Sequence, residues 1–180
     1  MKQHIAFLRG INVGNIRIKM TDLQRAFEAL GFNDVKTYLQ TGNVVFSATD
    51  EHELKFLLEQ KLTQTFRYEA FVLLYSMEEL KKIIEHYPFE REETYQDYII
   101  FIQDTRVLEE LKTLSENIFQ SGTNADPKEI AQIAPDKNAL YWKVAKGETL
   151  HTAFAKILGK AKYKSTTTTR NLNTLEKMSE

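Results

Sequence analysis

Residues 7–15 read Phe-Leu-Arg-Gly-Ile-Asn-Val-Gly-Asn, and the fold is best understood by working outward from this stretch. An apolar run stops at Arg9, and a loop with two glycines and two asparagines follows. Both alternating sets of residues 5–8 are apolar, which predicts a strand that is covered on both faces. A polar loop between a strand and a helix, with further bases at Arg17 and Lys19, is suited to hold an anion or a polar ligand.

The pattern downstream of this loop predicts a helix, two strands, a second helix and a fourth strand. Thr21 and Gln24 have capping-box spacing, and Asp50 is expected to cap the second helix with Glu53 at the third helical position. The predicted strands are residues 5–8, 35–39, 44–46 and 69–75, and the helical stripes are Leu23, Ala26, Phe27 and Leu30, then Leu54, Leu57, Leu58 and Leu62. The order β-α-β-β-α-β is that of the split-βαβ, ferredoxin-like unit.

The second half repeats this order of elements without repeating its letters. Ser76 and Glu79 form another capping box, which opens a helix that must end before Pro88. The remaining predicted elements are strands at residues 98–102, 130–134 and 140–144, helices at residues 107–114 and 150–158, and a short closing helix with Leu172, Leu175 and Met178. Residues 162–169 have threonine-rich strand propensity and are suited to the missing strand, but we interpret them as an extended loop.

The predicted fold class is therefore α+β, with two ferredoxin-like halves packed as one unit and a short C-terminal helix. The first subdomain is expected to cover residues 1–88, including a trailing helix at residues 76–86. The second subdomain and the tail are expected to cover residues 89–180. Strands 5–8 and 98–102 are predicted to be central and buried, because they are apolar on both faces.

Composition places the chain among ordinary globular proteins. Of its 180 residues, 42% are hydrophobic and 27% are charged, and the net charge is −1, so the charge of the whole molecule favours no class of partner. No apolar run approaches the roughly 20 residues of a membrane-spanning helix, and residues 1–4 do not resemble a signal peptide. The chain has no cysteine, which excludes disulfides and thiolate metal sites and fits a cytoplasmic location.

Three motifs resemble a known family. They are residues 9–14 (Arg-Gly-Ile-Asn-Val-Gly), residues 38–46 (Tyr-Leu-Gln-Thr-Gly-Asn-Val-Val-Phe) and residues 169–174 (Thr-Arg-Asn-Leu-Asn-Thr). Together they resemble the bacterial family called "domain of unknown function 1697", and the resemblance spans nearly the whole chain. It implies paired ferredoxin-like halves, and it carries no established activity, cofactor or substrate.

A candidate site follows from the predicted topology. In a split-βαβ sheet the third strand lies antiparallel between the first and second, so the end of strand one and the turn between strands two and three meet at one edge. We predict a ligand site there, to which the tail contributes the same arginine and asparagine chemistry. Its predicted residues are Arg9, Asn12, Asn15, Arg17, Lys19, Gln40, Thr41, Asn43, Arg170, Asn171 and Asn173.

Two classes of function fit such a cluster. One is a binding module for a phosphate- or carboxylate-bearing ligand, including a nucleotide or nucleic acid. The other is a small metal-independent enzyme with a substrate-assisted mechanism that uses the same arginine and asparagine side chains. Because segments 9–19 and 40–43 contain no acid or histidine for proton transfer, the binding module is favoured.

Other sites are less well supported by the sequence. The four histidines have no metal-ligand spacing, so no metal or other cofactor is expected, and they are predicted to lie on the surface or partly buried. Trp142 is expected in the core, and the sequence motif of RNA-recognition domains is missing. A basic run is the alternative contact for nucleic acid: Lys156, Lys160, Lys162, Lys164 and Arg170.

Overall fold

The computed structural model describes residues 1–12, 15–49, 53–119, 128–134, 138–163 and 166–180. The first elements in chain order are β1 (Lys2–Arg9), α1 (Met20–Glu28), β2 (Asn33–Tyr38), β3 (Asn43–Ala48), α2 (Leu54–Phe66), β4 (Phe71–Ser76) and α3 (Met77–Glu85). The later ones are β5 (Tyr95–Ile102), α4 (Thr105–Phe119), β6 (Glu129–Ile133), β7 (Ala139–Ala145), α5 (Ala153–Leu158), a 3-10 turn (Ala161–Tyr163), β8 (Thr167–Asn171) and α6 (Leu172–Ser179). Within these ranges no helix combines the length and the apolar character needed to cross a membrane.

The strands form two four-stranded antiparallel sheets with the same order. The first sheet runs β2-β3-β1-β4 and the second runs β6-β7-β5-β8, which confirms the predicted pair of ferredoxin-like halves. The chain divides into two compact units, Met1–Leu80 and Lys81–Glu180. The dividing point falls inside α3.

Each central strand is buried on both faces, as its apolar character predicts. In β1, which lies between β3 and β4, Ile5, Ala6, Phe7 and Leu8 are at most 2% exposed. In β5, which lies between β7 and β8, residues 99–102 are fully buried. Both segments are central as predicted, and they are buried at residues 5–8 and 99–102, whereas Tyr98 is half-buried.

The core between the first sheet and its helices is apolar and rich in aromatic rings. The ring of Phe46 lies 5.3 Å from that of Phe27 and 4.6 Å from that of Phe32, measured between centroids. Such pairs contribute about 0.5–1.5 kcal/mol each beyond the area that they bury. Further buried members of this cluster are Ala6, Leu8, Leu23, Ala26, Leu54, Leu58, Leu62 and Val72.

The core of the second unit contains a buried carboxylate. Trp142 and Phe154 pack with centroids 6.4 Å apart, and Trp142 is buried as expected from the sequence. Glu129 is only 5% exposed, and its two oxygens accept from Trp142 Nε1 at 3.1 Å and from the backbone N–H of Phe154 at 2.9 Å. Both partners satisfy the buried charge, and the second ties β6 to the first turn of α5.

Of three predicted helix N-termini, one is correct and two are wrong. Ser76 and Glu79 form the predicted capping box: the Glu79 carboxylate accepts from the Ser76 backbone N–H at 2.8 Å, and the Ser76 hydroxyl accepts from the Glu79 backbone N–H at 3.2 Å. The box predicted at Thr21 is wrong, because α1 begins at Met20 and Thr21 already lies inside its first turn. Glu53 immediately precedes α2 with φ 60° and is not its third residue, and Asp50 lies outside the described residues.

Four other predictions are corrected by the structure. Residues 167–171 form strand β8, not an extended loop, because β5 offers its free edge as a pairing partner. Leu57 is 39% exposed, since α2 turns Leu54, Leu58 and Leu62 inward at a four-residue spacing. His4 is buried at 5% exposure on the central strand. The helix predicted at residues 150–158 begins only at Ala153, where Thr152 caps it.

Candidate functional site

The loop after β1 meets the turn between β2 and β3, as the topology predicts. The backbone N–H of Leu8 donates to the carbonyl of Gly42 at 2.7 Å. Gly42 has φ 75°, and a Cβ atom there would lie 2.7 Å from Ile11 Cδ1 and 2.9 Å from Leu8 Cβ. Glycine is therefore required by both the backbone conformation and the close approach.

Asn12 connects three parts of this edge. Its side-chain nitrogen donates to the carbonyl of Gln40 at 2.7 Å, and its side-chain oxygen accepts from the backbone N–H of Ile18 at 3.0 Å. Asn12 itself has φ 54°, a conformation that asparagine tolerates better than most residues. The predicted meeting of Asn12 with Gln40 is confirmed, but these two bonds position the loop and leave the amide little capacity for a ligand.

Asn43 has a similar structural task in the turn. Its side chain is fully buried and donates to the carbonyl of Tyr38 at 3.0 Å and to the hydroxyl of Thr41 at 2.8 Å. These bonds satisfy the buried amide group and close the turn. Of the predicted residues in this turn, Gln40 alone lines the neighbouring cleft.

The cleft beside this turn has a volume of about 290 Å³ and is lined by Asn12, Arg17, Ile18, Lys19, Met20 and Gln40. The Arg17 side chain is exposed and donates to the neighbouring Ile16 carbonyl at 3.1 Å. Lys19 is exposed and is the N-cap residue of α1 without a side-chain cap bond. The cleft therefore combines two cations with a helix start whose first N–H groups receive no side-chain cap.

Arg9 lies apart from this cleft. Alternation along β1 puts Arg9 on the same face as Phe7, whereas Leu8 belongs to the core under the helices. Arg9 is half-buried opposite Phe71 of β4, and desolvation by burial lowers the pKa of its guanidinium. The predicted group of residues is thus divided between the two faces of the sheet, and Asn15 is exposed and does not line the cleft.

The three predicted tail residues lie in the second unit, where each has a protein partner. Arg170 donates to the Thr168 hydroxyl at 2.6 Å and to the Thr169 carbonyl at 3.0 Å. The side chain of Asn171 caps α6 by accepting from the backbone N–H of Asn173 at 3.0 Å. The side-chain oxygen of Asn173 in turn accepts from the guanidinium of Arg91.

Comparison with known proteins places the chain in a family. The model of the family described as "Protein of unknown function (DUF1697)" matches residues 1–141. The chain belongs to the DUF1697 family. It is also similar to a solved structure, the conserved bacterial protein SP0830 from Streptococcus pneumoniae, at 23% identity and a TM-score of 0.77 over 99% of this chain and 97% of that one. At this identity the likeness shows the fold alone, and no curated protein matches the chain.

The basic run of this DUF1697 member is spread over several elements. Lys156 lies in α5 and Lys160 follows it, both exposed, whereas the ammonium of Lys162 pairs with the Glu110 carboxylate. Lys164 lies outside the described residues, and Arg170 belongs to β8. Within the described part of the chain, no group of three or more histidines and acids is arranged to hold a metal ion.

A polar cluster on β5 and β7 was not predicted from the sequence. Asp97 and Lys143 face each other across the two strands, and each is only 6% exposed. Arg91 donates to Asp97 at 3.0 Å, and the Lys143 ammonium binds the Glu90 carbonyl at 2.6 Å as well as the Glu92 carboxylate. The available signal was the position of Asp97, which lies two residues before Ile99 and four before Phe101, because alternate residues of a strand share one face.

Proposed function

We propose that this DUF1697 member is a cytoplasmic binding module for a small ligand that carries a phosphate or carboxylate group. The ligand's anionic group would lie in the cleft between the β1–α1 loop and the β2–β3 turn, against Arg17, Lys19 and Gln40. The observation that carries this proposal is the lining of the cleft: it holds two cations and the amide of Gln40, and no carboxylate among its described residues.

The donors of this cleft are available to a ligand. Among the described residues, no acid pairs with Arg17 or Lys19, and the side-chain amide of Gln40 has no protein partner. A planar guanidinium donates two parallel hydrogen bonds to one phosphate or carboxylate group. The adjacent start of α1 adds the positive end of the helix dipole, which also favours an anion.

A binding module fits this cleft better than an enzyme does. Its described lining has no histidine or acid that would accept or donate a proton, and general acid–base catalysis needs such a group within hydrogen-bond reach. The structural bonds of Asn12 hold the loop and the turn together, so the cleft is formed before a ligand arrives. A preformed site of this kind supports binding because little conformational entropy is lost.

The test is a titration with inorganic phosphate, adenosine monophosphate, citrate and a short oligoribonucleotide, read by thermal shift and calorimetry. We expect Arg17→Ala and Lys19→Ala each to weaken binding of the responding probe by about ten- to a hundredfold, since a charge-assisted hydrogen bond contributes about 1.5–3 kcal/mol. The melting temperature without ligand should stay near that of the parent, because both side chains are exposed.

Arg25→Ala is the matched control, since Arg25 is a 79% exposed cation of α1 that pairs with Asp22 outside the cleft. It should leave the affinity within about twofold of the parent, because Arg25 lies outside the cleft and its exposed ion pair contributes little free energy. If a probe binds and the two cleft variants bind it as tightly as the parent, the ligand lies elsewhere and the proposal is wrong.

A further inference from the structure

Two cations from one short segment line the cleft between the β1–α1 loop and the β2–β3 turn. Arg17 and Lys19 are both exposed and both line this cleft, whereas Ile18 between them is only 5% exposed. Consecutive Cα atoms are about 3.8 Å apart, so the Cα atoms of Arg17 and Lys19 lie at most about 7 Å from one another. The cleft therefore has two neighbouring positive charges.

The backbone that carries the two cations is held in place. The N–H of Ile18 donates to the side-chain oxygen of Asn12 at 3.0 Å, and the Ile18 side chain belongs to the apolar core of the first unit. The carbonyl of Lys19 accepts from the N–H groups of Asp22 and Leu23, both at 3.0 Å. The points at which the two cationic side chains leave the backbone are therefore fixed before a ligand binds.

The two cations have different surroundings. The guanidinium of Arg17 donates to the carbonyl of Ile16 at 3.1 Å, on the side of the preceding residue. Lys19 is instead the N-cap residue of α1, where the N–H groups of Met20 and Thr21 have no partner among the described residues. One anionic group can bind the guanidinium, and a second can bind Lys19 beside the start of the helix.

A ligand with one anionic group would leave one of these cations without an ionic partner. A second group on the same molecule binds as an intramolecular step, which raises the affinity without a second loss of translational freedom. The cleft volume of about 290 Å³ is slightly below the usual range of small-molecule sites. Two anionic groups that both fit this cleft must therefore be close together in the ligand.

We infer that the ligand of this cleft carries two anionic groups a few atoms apart, as diphosphates and short dicarboxylates do. This inference rests on the proposed function and narrows it from one anionic group to two. One group accepts two parallel hydrogen bonds from Arg17. The other binds Lys19 and the N–H groups at the start of α1.

The test uses two matched pairs of probes, pyrophosphate with phosphate and succinate with acetate, titrated by calorimetry into the full chain. In at least one pair, we expect the two-group probe to bind the parent at least about tenfold more tightly than the one-group probe. Because a two-group probe also carries more charge, each pair is measured again with Arg17→Ala and with Lys19→Ala. In each variant this affinity ratio should fall at least about fivefold, since only one cation remains for either probe.

A smaller fall of the ratio in either variant, or a parental ratio near one, would show that the two cations do not hold two separate groups. That result would overturn this inference and leave the proposed function standing. If none of the four probes binds the parent, the proposed function is wrong and this inference with it. Arg25→Ala is again the control, because this exposed cation of α1 lies outside the cleft, and it should keep the parental ratio.

Discussion

On the helix-facing side of the first sheet, Phe27, Phe32 and Phe46 fill the interior with ring contacts at 4.6–6.2 Å. On the same side of the second sheet, Trp142 and Phe154 share the interior with the carboxylate of Glu129. The two sheets nevertheless have one strand order. On this side the first unit buries aromatic rings and the imidazole of His4, whereas the second buries aromatic rings and a carboxylate.

The other face of each sheet shows the same difference. In the first unit the central strand buries Ile5 and Phe7 there, whereas in the second unit Asp97 and Lys143 extend the face formed by Ile99. The two units therefore share their strand order and the alternation of apolar residues along the strands, and these features are sufficient for the topology. Buried charges are tolerated within it when every one has a partner, although their pairing contributes little net stability.

The largest effect that tests this comparison is expected at two glutamates, one in each unit. Glu129→Ala leaves the Trp142 and Phe154 N–H groups buried without a partner and should lower the free energy of unfolding by about 2–5 kcal/mol. Glu59 also accepts from a backbone N–H, that of Val72 at 2.9 Å, but its side chain is 27% exposed. Glu59→Ala should therefore cost only about 0.5–1.5 kcal/mol, because water can reach the freed donor. Urea denaturation followed by circular dichroism measures both, and equal losses would show that burial of the carboxylate is not what distinguishes the units.

A smaller effect is expected at two tyrosines whose hydroxyls are buried. The Tyr141 hydroxyl donates to the Ile83 carbonyl at 2.8 Å, whereas the Tyr68 hydroxyl has no partner among the described residues. Tyr141→Phe should lower the free energy of unfolding by about 1 kcal/mol, and Tyr68→Phe should leave it unchanged or raise it slightly.

The same two tyrosines give a pH dependence. Burial raises the pKa of Tyr68 and of Tyr141 to about 12, from an ordinary value of 10. A raised pKa in the folded state means that stability is unaffected below pH 10 and is lost as the pH rises towards 12. Each phenylalanine variant should remove its share of that alkaline loss, measured as the slope of melting temperature against pH. An unchanged slope in both variants would contradict the assignment.

Much of the fold was predictable because local motifs and periodic patterns of apolar residues specify it. Strand 5–8 has apolar residues at every position, and the box at Ser76 and Glu79 is complete within four residues. The errors had two sources: a strand partner that is distant along the chain, and a helix stripe that is narrower than predicted. Residues 167–171 become a strand because β5 has a free edge, and Leu57 is exposed because the stripe of α2 repeats every four residues.

The candidate site was predictable in position but not in the role of each residue. Topology brings Asn12 to Gln40, as expected, yet the amides of Asn12 and Asn43 bind the backbone. A sequence does not distinguish an asparagine that shapes a turn from one that contacts a ligand, because both need the same amide in the same loop. The contact of Arg91 with Asn173 joins residues that are distant along the chain, so no local pattern indicates it.

The smallest expected effect concerns a surface pair of the second unit. The Lys162 ammonium donates to the exposed carboxylate of Glu110, and this bond, with a further one from the Tyr163 hydroxyl at 3.1 Å, lowers the pKa of Glu110. A carboxyl whose pKa is lowered by folding contributes stability above its unfolded value, here 4.5, and loses that contribution as the pH falls below it.

Glu110→Gln should therefore lower the melting temperature by about 1–2 °C at neutral pH, and the difference should vanish in acid and shrink in high salt. Glu69→Gln, at an exposed acid of the first unit with no partner among the described residues, is the control and should leave the melting temperature at neutral pH near that of the parent. If the melting temperatures of Glu110→Gln and of the parent follow parallel curves from pH 7 down to pH 3, this ion pair makes no pH-dependent contribution to stability.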